Sequence, residues 1–119
     1  METDNKLQFE WDSEKETANF RKHSVHFMTA RFAFTDLECI ERYDAAHSNG
    51  EKRFQLIGKA AERLLFVVYT FRGSNIRLIS ARPADREEKE LYLLLMGNDW
   101  SFGKWKHRYH RKNSSFSGE

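Results

Sequence analysis

The chain has 119 residues, of which 32% are charged, with a net charge of +2, one proline and one cysteine; this length can bury the core of one domain unaided. Cys39 has no partner for an intramolecular disulfide, Met1-Glu2-Thr3-Asp4-Asn5 lacks the charge and apolar run of a signal peptide, and the longest apolar run, Leu64 to Tyr69, is too short to cross a bilayer. Disulfide scaffolds and membrane proteins are therefore excluded, and the expectation is a soluble cytoplasmic protein in which Cys39 serves packing rather than nucleophilic chemistry.

Residues 7–11 read as a short strand or extended arm. Asp12 or Ser13 suits a helix N-cap, with Glu14 and Glu16 in the first turn, where the helix dipole favours anions, and the helix runs to about His23. Lys15, Asn19 and Lys22 are spaced to share one face of it. Such a face holds a polyanion or is ordinary solvated surface. A second short helix is expected over Met28 to Phe34, and a short edge strand over Glu38-Cys39-Ile40-Glu41, whose acids discourage sheet association. After the polar loop Asp44 to Gly50 come three strands, Lys52 to Gly58, Leu64 to Phe71 and Asn75 to Arg82, with links short enough for antiparallel hairpins. The middle strand is almost continuously apolar, as for a strand covered on both faces.

Pro83 ends the last strand, and a helix follows from Ala84 to about Met96, charged at its start, greasy at its end and closed by Gly97-Asn98. Residues 1–98 form the expected domain, and residues 99–119 an aromatic and basic tail expected to be mobile unless something docks on it. That tail carries Lys104, Lys106, Arg108, Arg111 and Lys112 against Asp99 and Glu119, an excess larger than the whole chain's +2. The body is thus slightly acidic, and no helix presents a basic reading face, which argues against DNA binding by this chain alone. The element order predicts an α+β domain: a curved, mostly antiparallel sheet, built from a three-stranded meander plus a short N-terminal or edge strand, with two N-terminal helices and one C-terminal helix.

Several chemistries lack their residues. There is no phosphate loop, dinucleotide fingerprint or nucleophile elbow, and no cysteine pair for zinc; His23-x-x-His26 and His107-x-x-His110 have no carboxylate companions, so neither metal nor cofactor is expected. What remains is cationic. Arg53 opens the first meander strand, Arg77 and Arg82 sit in the last, and Arg86 opens the following helix. Strict alternation sends Arg77 and Arg82 to opposite faces unless the strand bulges near Pro83. Charges in an apolar strand need partners: a phosphate-bearing groove, or ion pairs with a carboxylate such as Glu10 or Glu51. Attack of an RNA 2′-hydroxyl on its phosphate needs a base, positive charge on the phosphorane and a proton for the leaving oxygen. Arginines supply charge, and His23 titrates near neutrality; its structural alternative is binding carbonyls at a helix C-terminus. Lys15 and Lys22 fit substrate phosphates or solvated surface, and Trp11 fits base stacking or packing under the sheet.

Four blocks then stand in order: Phe9-Glu10-Trp11-Asp12 with Lys15, Asn19, Lys22-His23, Val25 and Phe27; Gly50-Glu51-Lys52-Arg53-Phe54 with Ile57-Gly58; Leu64 to Thr70; and Ile76 to Ala84 with Arg86 and Glu88. In these the chain, over about residues 7–92, resembles the BrnT family of bacterial toxins of type II toxin–antitoxin pairs. The resemblance implies a fold similar to RelE-type ribonuclease toxins, with helices on one side of the sheet. It implies endoribonuclease activity that inhibits translation, and a BrnA-like antitoxin whose ribbon-helix-helix region carries the pair to operator DNA. Carried over by position, Arg53, Arg77, Arg82 and His23 are the candidate catalytic residues, and Trp11, Lys15, Lys22 and Arg86 the candidate substrate contacts. The segment Trp100 to Lys112 departs from the family; its aromatic and basic alternation suits single-stranded RNA.

Two functions compete. One is a metal-independent endoribonuclease held inactive by its antitoxin. The other is a non-catalytic partner-binding module that acts only as co-repressor, its arginines engaged in structural ion pairs. The first requires guanidinium groups converging on one open face; scattering, or each arginine locked to its own acid, speaks for the second.

Overall fold

The computed structural model describes residues 7–109. After the short β1 (Phe9–Glu10), Asp12 adopts extended backbone and its carboxylate accepts the Lys15 backbone N–H at 2.9 Å, which starts α1 (Ser13–His23). Ser24 ends it in the left-handed region at φ 60°, its N–H donating to Phe20 C=O at 2.8 Å. The expected second helix divides into α2 (Phe27–Ala30) and a 3₁₀ turn (Arg31–Thr35). Phe27, Ala30 and Ala33 are all buried, and their spacing of three puts them in line along the tighter 3₁₀ winding.

Then follow β2 (Ile40–Tyr43), β3 (Phe54–Ala60), β4 (Arg63–Arg72), β5 (Asn75–Pro83), α3 (Arg86–Leu95) and β6 (Lys106–His107). The six-stranded sheet has the order β1-β5-β4-β3-β2-β6, with β1 parallel to β5 and every other pairing antiparallel. The meander is β3-β4-β5, as expected. β2 begins later than the pattern Glu38–Glu41 suggests, and β6 pairs with Ile40 and Glu41 along its outer side.

One face of the sheet packs Leu56, Leu65, Val67, Tyr69, Leu78 and Ala81 against Phe27, Ala30, Ala33 and Phe34. The other packs Ile40 and Ile57, with Leu64 and Phe66, against Tyr92, Leu95 and Trp105. Helices therefore lie on both faces, where the resemblance implies one side. The physical reason is α3: Leu91, Tyr92 and Leu95 recur at helical spacing and meet the apolar patch of β3 and β4. A capping box starts α3, with Asp85 accepting from Glu88 N–H at 2.9 Å and Glu88 accepting from Asp85 N–H at 2.8 Å. Leu93 and Leu94, on its far side, remain exposed.

Trp105 is buried, and Arg108 pairs with Glu41 at 2.8 Å, the same carboxylate that accepts the Tyr69 hydroxyl at 2.7 Å. Cys39 is fully buried and its thiol is pushed up to about 12 by desolvation first and then by Asp36, so it is no nucleophile at neutral pH.

Gly58 marks the closest approach of the 3₁₀ turn to the sheet. A Cβ there would stand 2.5 Å from the Ala33 carbonyl oxygen and 3.0 Å from Cys39 Cβ. Gly58→Ala is expected to destabilise the fold by about 2 kcal/mol, since backbone rather than a flexible side chain must give way. Urea unfolding measures it, with an unchanged m-value expected.

Candidate functional site

The register of β5 decides where its arginines point. Val68 pairs with Ser80 but Tyr69 pairs with Leu78, so Ile79 is an extra residue, a β-bulge. The bulge resets alternation. Arg77 lies opposite Thr70 and Arg82 opposite Phe66, two β4 residues of equal parity, so both arginines stand on the α3 face of the sheet. They lie about 15 Å apart along the strand with Ser80 between them. The pairing of Phe54 with Tyr69, continued by one residue, brings Arg53 opposite Thr70 and onto the same face. The three arginines named from sequence therefore share one surface.

Each also has an acidic neighbour. Arg77 Nη1 meets Glu10 Oε2 at 2.9 Å, Arg53 Nη2 meets Glu51 Oε2 at 3.5 Å, and Arg82 makes a two-pronged pair with Glu88 at 2.9 and 2.8 Å. Arg77 and the Asn75 amide hold the Glu10 carboxyl below its ordinary range, Asn75 contributing most. The ion-pair alternative is thus realised in the free chain, with Glu10 and Glu51 as two of the partners.

The pairs leave donors unused, however. Arg82 Nη1 donates to Pro83 C=O and Glu88 Oε1, and Nη2 to Glu88 Oε2. Of its five N–H groups this leaves Nε–H and one Nη2–H. Those two form the side edge of the guanidinium, the geometry that takes a phosphate bidentately. The guanidinium carbon lies over the Phe66 ring, 4.2 Å from its centre, and Glu88 is itself fixed by the cap of α3. Glu88, first through its hydrogen bonds and then through its charge, raises the Arg82 pKa further, so Arg82 is a fixed cation and not a proton shuttle.

α1 brings His23 to this end of β5. The buried Asn19 side chain docks on the strand: Nδ2 donates to Ala81 C=O at 2.9 Å and to Val25 C=O at 3.0 Å, while Oδ1 accepts Ala81 N–H at 3.1 Å. It replaces a neighbouring strand where β1 has ended. Asn19 is therefore a structural clamp rather than part of a polyanion face. His23, one turn on, has its pKa lowered by desolvation, by Lys22 and by Arg82. The imidazole is thus neutral at neutral pH, the form that accepts a proton. Arg82→Ala is expected to raise the His23 pKa by removing one of the charges that depress it, measurable as a shift in the titration of its ring protons by NMR.

The other sequence candidates are dispersed. Lys15 and Lys22 lie exposed on α1 to either side of Asn19. Trp11 packs edge-to-face on Phe27 at 5.9 Å against the core. Arg86 is exposed on the first turn of α3, 3.7 Å from Glu90. Leu95 is buried and Leu91 half-buried, so only part of the greasy end of α3 is open. Of the tail, His110 to Glu119 lie outside the described residues.

Sequence reasoning missed Arg42. It follows Ile40 by two and so shares its face, next to Gln55, whose Oε1 accepts Arg42 Nε–H at 2.8 Å. Its guanidinium lies over the Trp105 ring at 4.8 Å and, among the described residues, has no carboxylate partner. Alternation from Ile40 would have found it, but only with the strand carried past Glu41. No cluster of three or more histidine, cysteine or acidic side chains arranged to hold a metal occurs among the described residues. No helix among them is long and apolar enough to cross a membrane.

A family model described as the ribonuclease toxin, BrnT, of type II toxin–antitoxin systems matches residues 11–88, which include Arg53, Arg77, Arg82 and His23. No curated protein matches the chain.

Proposed function

The chain belongs to the BrnT family of ribonuclease toxins of type II toxin–antitoxin systems, so its reaction is RNA cleavage and its partner an antitoxin, and from that premise we propose that it cleaves RNA without a metal at the Arg82 end of β5. Neutral His23 takes the proton of the 2′-hydroxyl. The 2′-oxygen forms its bond to phosphorus, the bond to the 5′-oxygen breaks, and water supplies the proton that oxygen needs. The free side edge of Arg82 binds the phosphate and stabilises the charge of the phosphorane. Arg77 and Arg53, farther along the same face, hold neighbouring phosphates, with Lys15 and Lys22 on the α1 flank and Arg86 at the start of α3. Trp11 supports α2 and contributes to RNA only through its exposed portion.

The observation that carries this reading is the bulge at Ile79, which puts Arg77 and Arg82 on one face, together with His23 near enough to Arg82 to feel its charge. The expected result is cleavage of single-stranded RNA in excess chelator, leaving 2′,3′-cyclic phosphate and 5′-hydroxyl ends. Activity should rise with pH and level off below the ordinary histidine range, because the lowered pKa makes the neutral base available earlier. Loss of cleavage in chelator, restored by a divalent ion, overturns the metal-free mechanism.

In the cell this reading places the protein in the cytoplasm, where cleavage inhibits translation. A BrnA-like antitoxin with a ribbon-helix-helix region neutralises it, and operator DNA is reached only through that antitoxin. The three arginine–carboxylate pairs favour a second reading, a toxin retained as co-repressor without catalysis. Growth arrest on expression of this chain alone selects the first. Operator binding with the antitoxin, combined with no arrest and no RNA loss, selects the second.

A further inference from the structure

Beside the Arg82–Glu88 pair, between the sheet and α3, lies a cavity of about 270 Å³. Phe66, Leu91 and Trp105 provide its apolar walls; Arg42 comes from β2, and Glu87 and Glu88 from α3. Asp85 also lines it, but its carboxylate is engaged in capping α3, and Glu88 is engaged with Arg82. Two charged groups are left. Arg42 spends Nε on Gln55 and keeps its Nη donors, and Glu87 has no side-chain partner among the described residues.

This mixture selects its ligand. A phosphate would face three carboxylates, and an ammonium would face Arg42. A neutral, flat group with acceptors on one edge and donors on another satisfies both sides, and its apolar surface meets the wall of Phe66, Leu91 and Trp105. The cavity is smaller than pockets for drug-sized ligands, as a single nucleobase requires. Cytosine too offers a guanidinium two adjacent acceptors, O2 and N3, but only guanine joins such a pair, O6 and N7, to a second pair of adjacent donors. Its N1–H and 2-amino group are donors suited to a carboxylate. We propose that this cavity is the base-recognition subsite of the nuclease and takes guanine, with Arg42 on O6 and N7 and Glu87 on N1–H and the 2-amino group. The inference rests on the catalytic reading above: Glu88 joins the cavity to Arg82, so the base held here neighbours the phosphate cleaved there.

The test uses short 2′-O-methyl oligonucleotides, which lack the attacking hydroxyl, carrying one guanine, inosine or adenine at the same position. Binding to the full chain is followed by fluorescence anisotropy. Guanine should bind about tenfold more tightly than adenine, as one lost bidentate contact implies. Arg42→Gln should erase that difference. Glu87→Gln, at an exposed site with no fold contacts to lose, should erase the preference of guanine over inosine, which lacks the 2-amino group. Equal affinity for all three oligonucleotides, or preferences that survive both variants, overturns the proposal. If Arg42→Gln fails to fold, the Glu87→Gln and inosine comparison decides alone. Cleavage of the corresponding RNAs separates the two claims: Arg82-dependent cleavage indifferent to the base sinks the guanine subsite only, whereas guanine-selective binding without Arg82-dependent cleavage sinks the catalytic assignment only.

Discussion

Replacing Arg82 by alanine is expected to lower RNA cleavage by about a hundred- to a thousandfold, the usual loss when one preorganised donor to a developing charge is removed. The expectation comes from the geometry of the pair with Glu88. One edge of the guanidinium is bound end-on at 2.9 and 2.8 Å, its carbon sits over the Phe66 ring, and the side edge is left for phosphate. Arg82→Lys separates charge from shape. A lysine can pair with Glu88 or with phosphate but cannot present two parallel donors to each. It should keep most of the stability and recover less than a tenth of the lost activity. Rates on a short RNA, with thermal melting as control, measure both effects. Wild-type rates in Arg82→Ala would remove Arg82 from the phosphate and leave Glu88 as a purely structural partner.

The second large effect is on the fold. Asn19→Leu keeps the volume of the side chain and deletes all three of its hydrogen bonds, leaving Ala81 N–H, Ala81 C=O and Val25 C=O without it. Each buried group left unsatisfied costs about 1–3 kcal/mol, so a loss of roughly 3–5 kcal/mol is expected in urea unfolding. Asn19→Asp should be nearly as harmful, because it retains the acceptor for Ala81 N–H but places charge against two carbonyls. The same substitution loosens His23 from Arg82. A variant that still folds should therefore lose cleavage activity out of proportion to its stability. Unchanged stability in Asn19→Leu would show that solvent reaches the edge of β5 and that the clamp contributes little.

The secondary elements were legible to different degrees. α1 carries its own start and stop in Asp12 and Ser24, and the meander has apolar strands separated by short polar links, so both were readable from local composition. The division of the second helix was not, because it depends on what Phe27, Ala30 and Ala33 pack against. β6 was not either: two residues, Lys106 and His107, form a strand only because Ile40 and Glu41 offer an open edge. Arg53, Arg77, Arg82 and His23 were visible as residue types and through resemblance. Arg42 was not, since the strand was not carried past Glu41 and its place beside Gln55 and Trp105 depends on the tertiary structure.

By itself the sequence determined the class of the domain, its helix caps, the meander and the family, because hydrophobic period, capping residues and motif order are local properties that survive without a partner element. Only the tertiary structure decided which face the arginines occupy. Side-chain direction in a strand inverts with a single extra residue, and whether Ile79 is that residue depends on how β4 pairs with β5. It likewise decided that Asn19 clamps β5, that α3 covers the opposite face, and that Arg42 and Glu87 line one cavity, since each of these joins residues from distant parts of the chain.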